Sequence, residues 1–136
     1  MVAAAAAAAA AAPELAQVTN VVHDLDRAVT FHRDVLGLPL LFQAPPSLAF
    51  FQCGTVRLML SPPENAEQDH PGSVLYFRVT DIERVHRTLV GKGVSFVGEP
   101  HRVHQAADYD LWMAFFHDPD KNPMALMEEK RKGTSS

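Results

Sequence analysis

The sequence predicts an α+β domain: two βαβββ modules forming a cupped, eight-stranded mixed sheet with the helices on its outer face. Three observations predict it. The order strand, helix, three strands occurs twice, on either side of a polar, proline-rich linker at residues 61–72 (SPPENAEQDHPG). The run Val22-His23-Asp24-Leu25-Asp26-Arg27 matches Val79-Thr80-Asp81-Ile82-Glu83-Arg84 at an offset of 57, and after one gap Gly37 matches Gly93. Such self-similarity marks a duplicated structural unit. Last, residues 111–129 (LWMAFFHDPDKNPMALMEE) set two short apolar runs around two prolines, two aspartates and an asparagine. Proline presets φ, and Asp and Asn bond their own backbone, so this stretch is a hairpin.

Each element has its own signal. Residues 15–22 alternate and carry β-branched side chains, as a strand does. Asp24 can cap a helix in which Leu25, Ala28, Val29, Phe31, His32, Val35 and Leu36 share a face, and Gly37 supplies its stop. Strands follow at 38–42, 48–53 and 56–60, divided by Pro45-Pro46 and by Gly54. In the second half a strand at 74–79 leads into Thr80-Asp81-Ile82-Glu83, the spacing of a capping box. Its helix runs to about Val90 and ends at Gly91-Lys92-Gly93. A strand at 94–97, a long loop through His101 and His104, and the hairpin complete the module.

At 136 residues, with 47% hydrophobic and 21% charged, the chain suits one domain with a real core. Residues 1–14 are expected to be a disordered, alanine-rich extension. Residues 15–130 form the domain, with modules at about 15–61 and 73–130, and 131–136 form a polar tail that Lys130-Arg131-Lys132 keeps solvated. A net charge of −4 and a pI near 5.9 argue against nucleic acid or an anionic membrane as partner. No apolar run approaches the roughly 18 residues that span a bilayer. The alanine tract at 3–12 has no basic flank and makes a poor signal peptide. Cys53 is the single cysteine, which excludes an intrachain disulfide and fits a reducing, cytoplasmic location. In an apolar strand it reads as a small core residue, not a nucleophile.

The residues of this duplication, 22–38 (VHDLDRAVTFHRDVLGL), 77–93, and 116–129 around DPDKNP, resemble the vicinal oxygen chelate superfamily. Its members include glyoxalase I, extradiol dioxygenases, methylmalonyl-CoA epimerase, and bleomycin- and fosfomycin-resistance proteins. The resemblance spans residues 15–130. One departure is Lys121, where the family usually has glycine, so Lys121 or Asn122 must carry any positive φ.

Metal-dependent members take ligands from the first and last strand of each module, all facing the cup. Those positions carry over to Gln17, Met59, Val74 and Ala125. Glutamine serves as a ligand there in some glyoxalases; methionine, valine and alanine offer a divalent ion no oxygen or imidazole. A one-residue register shift meets Leu58 or Leu60, Ser73 or Leu75, and Met124 or Leu126. Glu128 has the wrong strand parity, and Glu129 falls beyond the expected strand end. The resemblance therefore implies no metal and no cofactor, and argues against glyoxalase I chemistry and extradiol cleavage. Whether the chain is an enzyme is left open.

Alternation assigns the cup's lining. Gln17 brings Thr19 and Val21; Val74 brings Tyr76 and Arg78; Met59 brings Arg57; Ala125 brings Met127. With His104 folded over from its loop and Trp112 as a wall, the candidate binding set is Gln17, Thr19, Val21, Met59, Tyr76, Arg78, His104 and Trp112. Greasy walls with a few polar groups suit a small molecule. Arg78 either takes an anion or, at the strand end, simply reaches water. Parity does not say which of Trp112, Phe115 and Phe116 belong to the core. His23, His32 and His86 lie at or on the predicted helices and His70 in the linker, and most of the seven histidines read as surface or loop-capping groups.

The expected function is binding of a small aromatic or anionic molecule in the cup, without the usual metal centre. The alternative is a lyase, isomerase or dioxygenase-type enzyme. It would use a relocated metal, held by His101 or His104 with Asp108 or Asp110, or metal-free acid/base chemistry with His104 or Tyr76 catalytic and Arg78 holding an anion. A pure assembly module is disfavoured, because nothing marks a large exposed patch. Small members of the superfamily commonly dimerise, which implies a homodimer with the cup at or near the interface.

Overall fold

The computed structural model describes residues 13–44 and 46–133. The alanine tract and residues 134–136 lie outside the described residues. The first module holds β1 (Gln17–Val21), α1 (Leu25–Thr30), β2 (Leu40–Ala44), β3 (Leu48–Cys53) and β4 (Val56–Ser61). The second holds β5 (Leu75–Arg78), α2 (Ile82–Gly91), β6 (His101–Gln105), β7 (Tyr109–His117) and β8 (Pro123–Arg131). The eight strands form two adjacent four-stranded mixed sheets of the same topology, β1-β4-β3-β2 and β5-β8-β7-β6. In each, the first strand runs parallel to the last and the other pairs are antiparallel.

Each sheet buries one face under its own helix. Val22, Ala28, Val29, Ala49, Phe51, Leu58 and Leu60 form the first core. Ile82, Leu89, Val94, Ala114, Phe116, Met124 and Leu126 form the second. Burying a side chain of this size contributes about 1.5–3 kcal/mol. Phe31, Val35 and Leu36 from the first module also pack on the second core, and Leu75 packs on both, so the cores meet on the helix side.

Asp24 accepts from the Arg27 N–H and caps α1, as expected. Beyond Thr30 the helix widens into a π-helical turn, Phe31–Val35, before Gly37 ends it at φ +77°. That turn holds His32 fully buried, its Nδ1–H donating to the Ala28 carbonyl at 2.7 Å. The DPDKNP turn is tied by Asp118, whose Oδ1 accepts from the Asp120 and Asn122 N–H groups. Lys121 takes the positive φ, at +66°.

Three expectations about strand bounds need correction. The strand expected at 94–97 is reduced to one bridge, Phe96 to Phe116, because Gly98-Glu99-Pro100 interrupts the edge and proline has no N–H to donate. The expected loop through His101 and His104 is instead β6, paired to β7. And β8 runs through Arg131, so Lys130 and Arg131 are strand residues and not part of a solvated tail. Lys130 pairs with Glu83 and lies 4.3 Å from the Trp112 ring centroid, while Arg131 faces Asp108 at 3.6 Å. Glu129 is likewise within the strand, opposite Leu111.

Candidate functional site

The register defines the helix-free face of each sheet. On the first, Gln17 lies opposite Arg57, Thr19 opposite Met59, and Val21 opposite Ser61. Arg57 in turn lies opposite Gln52, and Met59 opposite Phe50. These side chains point away from the buried row Leu58, Leu60, Ala49 and Phe51, as the sequence parity requires. On the second sheet Tyr76 lies opposite Ala125 and Arg78 opposite Met127. Phe115 and Met113 continue those two rungs. Trp112 has the other parity. It packs against the second core with Phe116, and so leaves the candidate binding set; Phe115, of the three aromatics, lies on the helix-free face.

Gln17 turns its amide oxygen to a cation in this arrangement, which disfavours a metal ion beside it. Its Oε1 accepts from Arg57 Nε–H at 2.9 Å, and its Nε2 lies 3.9 Å from Met59 Sδ. The Arg57 guanidinium sits 5.4 Å from the Phe50 ring centroid, and Phe42 stacks on Phe50 at 4.5 Å. Phe42 is 48% exposed, which leaves its outer face open to a ligand. On the second sheet Tyr76 meets Phe115 edge-on at 6.2 Å, and the His101 ring lies 6.5 Å from Phe115. Each helix-free face thus carries an aromatic cluster.

A bulge between Arg102 and His104 changes the reading of the two histidines. His101 lies opposite Met113 and His104 opposite Leu111, so both share the face of Phe115. Regular alternation over three residues would set them on opposite faces. Asp110 lies on the other face, opposite Lys130, and is 3.2 Å from Lys132; Asp108 pairs with Arg131. The histidine–aspartate grouping considered from sequence is therefore not brought together. Among the described residues no group of three or more His, Cys, Asp or Glu side chains is placed to hold a metal ion. Of the four family ligand positions, Gln17 and Met59 touch, Ala125 is fully buried on β8, and Val74 precedes β5. The donor set at those positions does not fit a divalent cation.

A cleft of about 640 Å³ runs along the seam between modules, lined by Leu38, Pro39, Gln52, Cys53, Gly54, Tyr76, Phe77 and Arg78. Burial pushes the Cys53 thiol up from its ordinary value, so it is no thiolate nucleophile at neutral pH. Neither Arg78 nor Arg57 has a carboxylate within ion-pair distance among the described residues.

A model of the Glyoxalase/Bleomycin resistance protein/Dioxygenase superfamily matches residues 14–126, most of the chain. The chain belongs to that superfamily. It is 28% identical over 122 residues to the uncharacterized protein YraH of Bacillus subtilis, covering 80% of this chain and 93% of that one. Among solved structures it is similar to a superfamily member from Sphaerobacter thermophilus, at 22% identity and a TM-score of 0.74, covering 88% of this chain and 99% of that one. It is also similar to a lactoylglutathione lyase from Agrobacterium tumefaciens, at 21% identity and a TM-score of 0.70, covering 86% and 94%. At these identities the solved structures establish the shared fold and not a shared reaction. Arg57 and the Phe42–Phe50 stack were not singled out as a site in the sequence. The signal was there, since Phe50 and Arg57 have the parity of the predicted lining, but strand pairing was needed to place them side by side.

Proposed function

We propose that this superfamily member binds a small aromatic or anionic molecule on the helix-free faces of its sheets, without using the family's metal position. The observation that carries this reading is the commitment of Gln17, the one retained ligand type, to Arg57 and Met59. Val74, Ala125 and Met59 at the other three positions add no donor that suits a hard cation. The open aromatic clusters and the guanidinium groups of Arg57 and Arg78, neither of which meets a carboxylate among the described residues, supply what a small organic anion requires: apolar walls and a few oriented donors. The half-exposed Phe42 and Tyr76 on these faces favour a homodimer that covers part of them. A cytoplasmic site of action suits the single, free Cys53.

The test has two arms. Metal content is measured by plasma mass spectrometry after incubation with Ni, Zn, Fe(II) or Mn and desalting, and a panel of aromatic and acidic compounds is screened by thermal shift with and without chelator. The expected outcome is near-zero metal together with saturable binding that chelator leaves unchanged. One ion per chain, with ligand shifts abolished by chelator, overturns the reading.

A further inference from the structure

We infer that the helix-free face of the first sheet carries an anion subsite built on Arg57, and that its ligand is a planar aromatic carboxylate. This deepens the proposed function and rests on it.

Three features converge on Arg57. Gln17 holds the guanidinium from one side by accepting Nε–H, so the group is oriented before any ligand arrives. The Phe50 ring centroid lies 5.4 Å from the guanidinium carbon, where the ring's negative face favours the cation. The two Nη groups have no acceptor among the described residues, and no carboxylate stands within ion-pair distance. A guanidinium fork with Nε occupied and both Nη groups free matches the two oxygens of a carboxylate.

The neighbouring surface specifies the rest of the molecule. Phe42 stacks on Phe50 at 4.5 Å with 24° between the ring planes. This makes a flat shelf beside the cation, which suits an aromatic ring better than an aliphatic chain. Gln52, opposite Arg57 on the next strand, also lines the seam cleft that Arg78 borders. A second cation with no carboxylate beside it among the described residues therefore stands at the rim, where it raises the local concentration of anions. Gln17 becomes a positioning residue: the side chain at the family's metal position now aims a guanidinium.

The probe is 2-naphthoate, titrated by calorimetry or fluorescence, with 2-naphthamide, acetate and inorganic phosphate as controls. Saturable naphthoate binding is expected, weakened at least about tenfold in the uncharged amide, in acetate and in phosphate. Arg57→Met should lose about the same factor, and Arg57→Lys should recover only part of it, because lysine keeps the charge and loses the fork. Gln17→Glu gives the sharpest test. Its carboxylate would pair with Arg57 in place, so naphthoate binding should fall about tenfold while thermal stability is kept. A merely structural role for Gln17 would not separate those two readouts.

Naphthoate and naphthamide binding equally, no naphthoate binding at millimolar concentration, or Arg57→Met binding like wild type would each overturn the inference. If neutral aromatics still bind in the absence of metal, the proposed function survives that failure. If binding requires a bound metal ion, the proposed function itself has failed.

Discussion

His32 shows how one residue can set an acid limit on the fold. It is fully buried, its Nδ1–H is used by the Ala28 carbonyl, and its Nε2 has no partner among the described residues. Burial, the larger influence, holds its pKa below the ordinary value; the bond to Ala28 and the fields of Asp118 and Asp120 oppose this only in part. A depressed folded-state pKa means the folded state prefers the neutral ring. The stabilisation is complete above the unfolded value near 6.5 and is lost as pH falls from there through the folded value. Stability between pH 7 and 5 should therefore drop more steeply in the wild type than in His32→Leu, which has nothing to protonate. At pH 7 the variant should differ by only about 1 kcal/mol, since it loses one hydrogen bond and leaves the Ala28 carbonyl to its helix. Urea denaturation across this range measures both, and parallel pH profiles would contradict the assignment.

At the scale of an element, α2 is capped from outside its own sequence. The spacing of Thr80 and Glu83 suggested a local capping box. Instead Asp81 is the cap residue at φ +63°, and its side chain accepts from the Arg84 N–H at 3.3 Å. The reciprocal carboxylate is Glu128, 46 and 47 residues away, whose two oxygens accept from the Ile82 and Asp81 N–H groups at 2.8 and 3.0 Å. Glu83 turns away to Lys130. A carboxylate on two otherwise orphaned donors, at the positive end of the helix, is worth about 1–3 kcal/mol. Glu128→Ala should lose that amount in chemical denaturation and speed hydrogen exchange in the first turn of α2. Stability within about 0.5 kcal/mol of wild type would refute the capping role. The same element marks where sequence reading stops. The existence of α2 was legible from its period and its breakers, and the parity of β1, β4, β5 and β8 from alternation. The partner of its first turn was not, because a long-range contact leaves no local spacing. Strand β6 was missed for a related reason: all five of its side chains are exposed, so only backbone pairing to β7 makes it a strand, and HRVHQ carries no burial pattern. The apolar segment at 94–97 reads more like a strand, but Val94 is buried and Phe96 meets His86 edge-on and Phe116 at a tilt, so its apolar residues report packing and not pairing.

For the whole molecule, the question is what holds one module to the other, because β1 and β5 share no backbone ladder. Apolar packing on the helix side is one part. The rest is polar and gathers where β1 ends. Asn122, fully buried in the DPDKNP turn, donates to the Val21 carbonyl and accepts from the Gly72 N–H, so one side chain joins β1, the linker and the last hairpin. A Cβ at Gly72 would lie 2.3 Å from the Asn20 side-chain oxygen, so any larger residue there requires the buried Asn20 side chain to move. Beside this junction His23 bridges the same three segments. Its Nε2 meets Asp69 of the linker at 2.6 Å and its Nδ1 meets Asp120 of the turn at 2.9 Å. Hydrogen bonding to Asp69, then to Asp120, raises the His23 pKa above its ordinary value; the imidazolium can donate from both nitrogens at once, which neither neutral tautomer can. The sign is opposite to that of His32. A raised folded-state pKa gives stabilisation that is full below about 6.5 and disappears as pH rises through the folded value. Because the ring is exposed, water and salt screen the effect, so its direction is the measurable quantity. His23→Gln should cost most stability near pH 6, and its deficit relative to wild type should shrink as pH is raised to 9 or as salt is added. Asn122→Ala should cost more, about 1–3 kcal/mol, at every pH, since it leaves buried partners unpaired without removing a titrating group. A His23→Gln deficit that stays constant from pH 6 to 9 would show that its ring only fills space. A deficit that closes with pH would show that the linker and the last turn are drawn to the end of β1 by a protonated clasp.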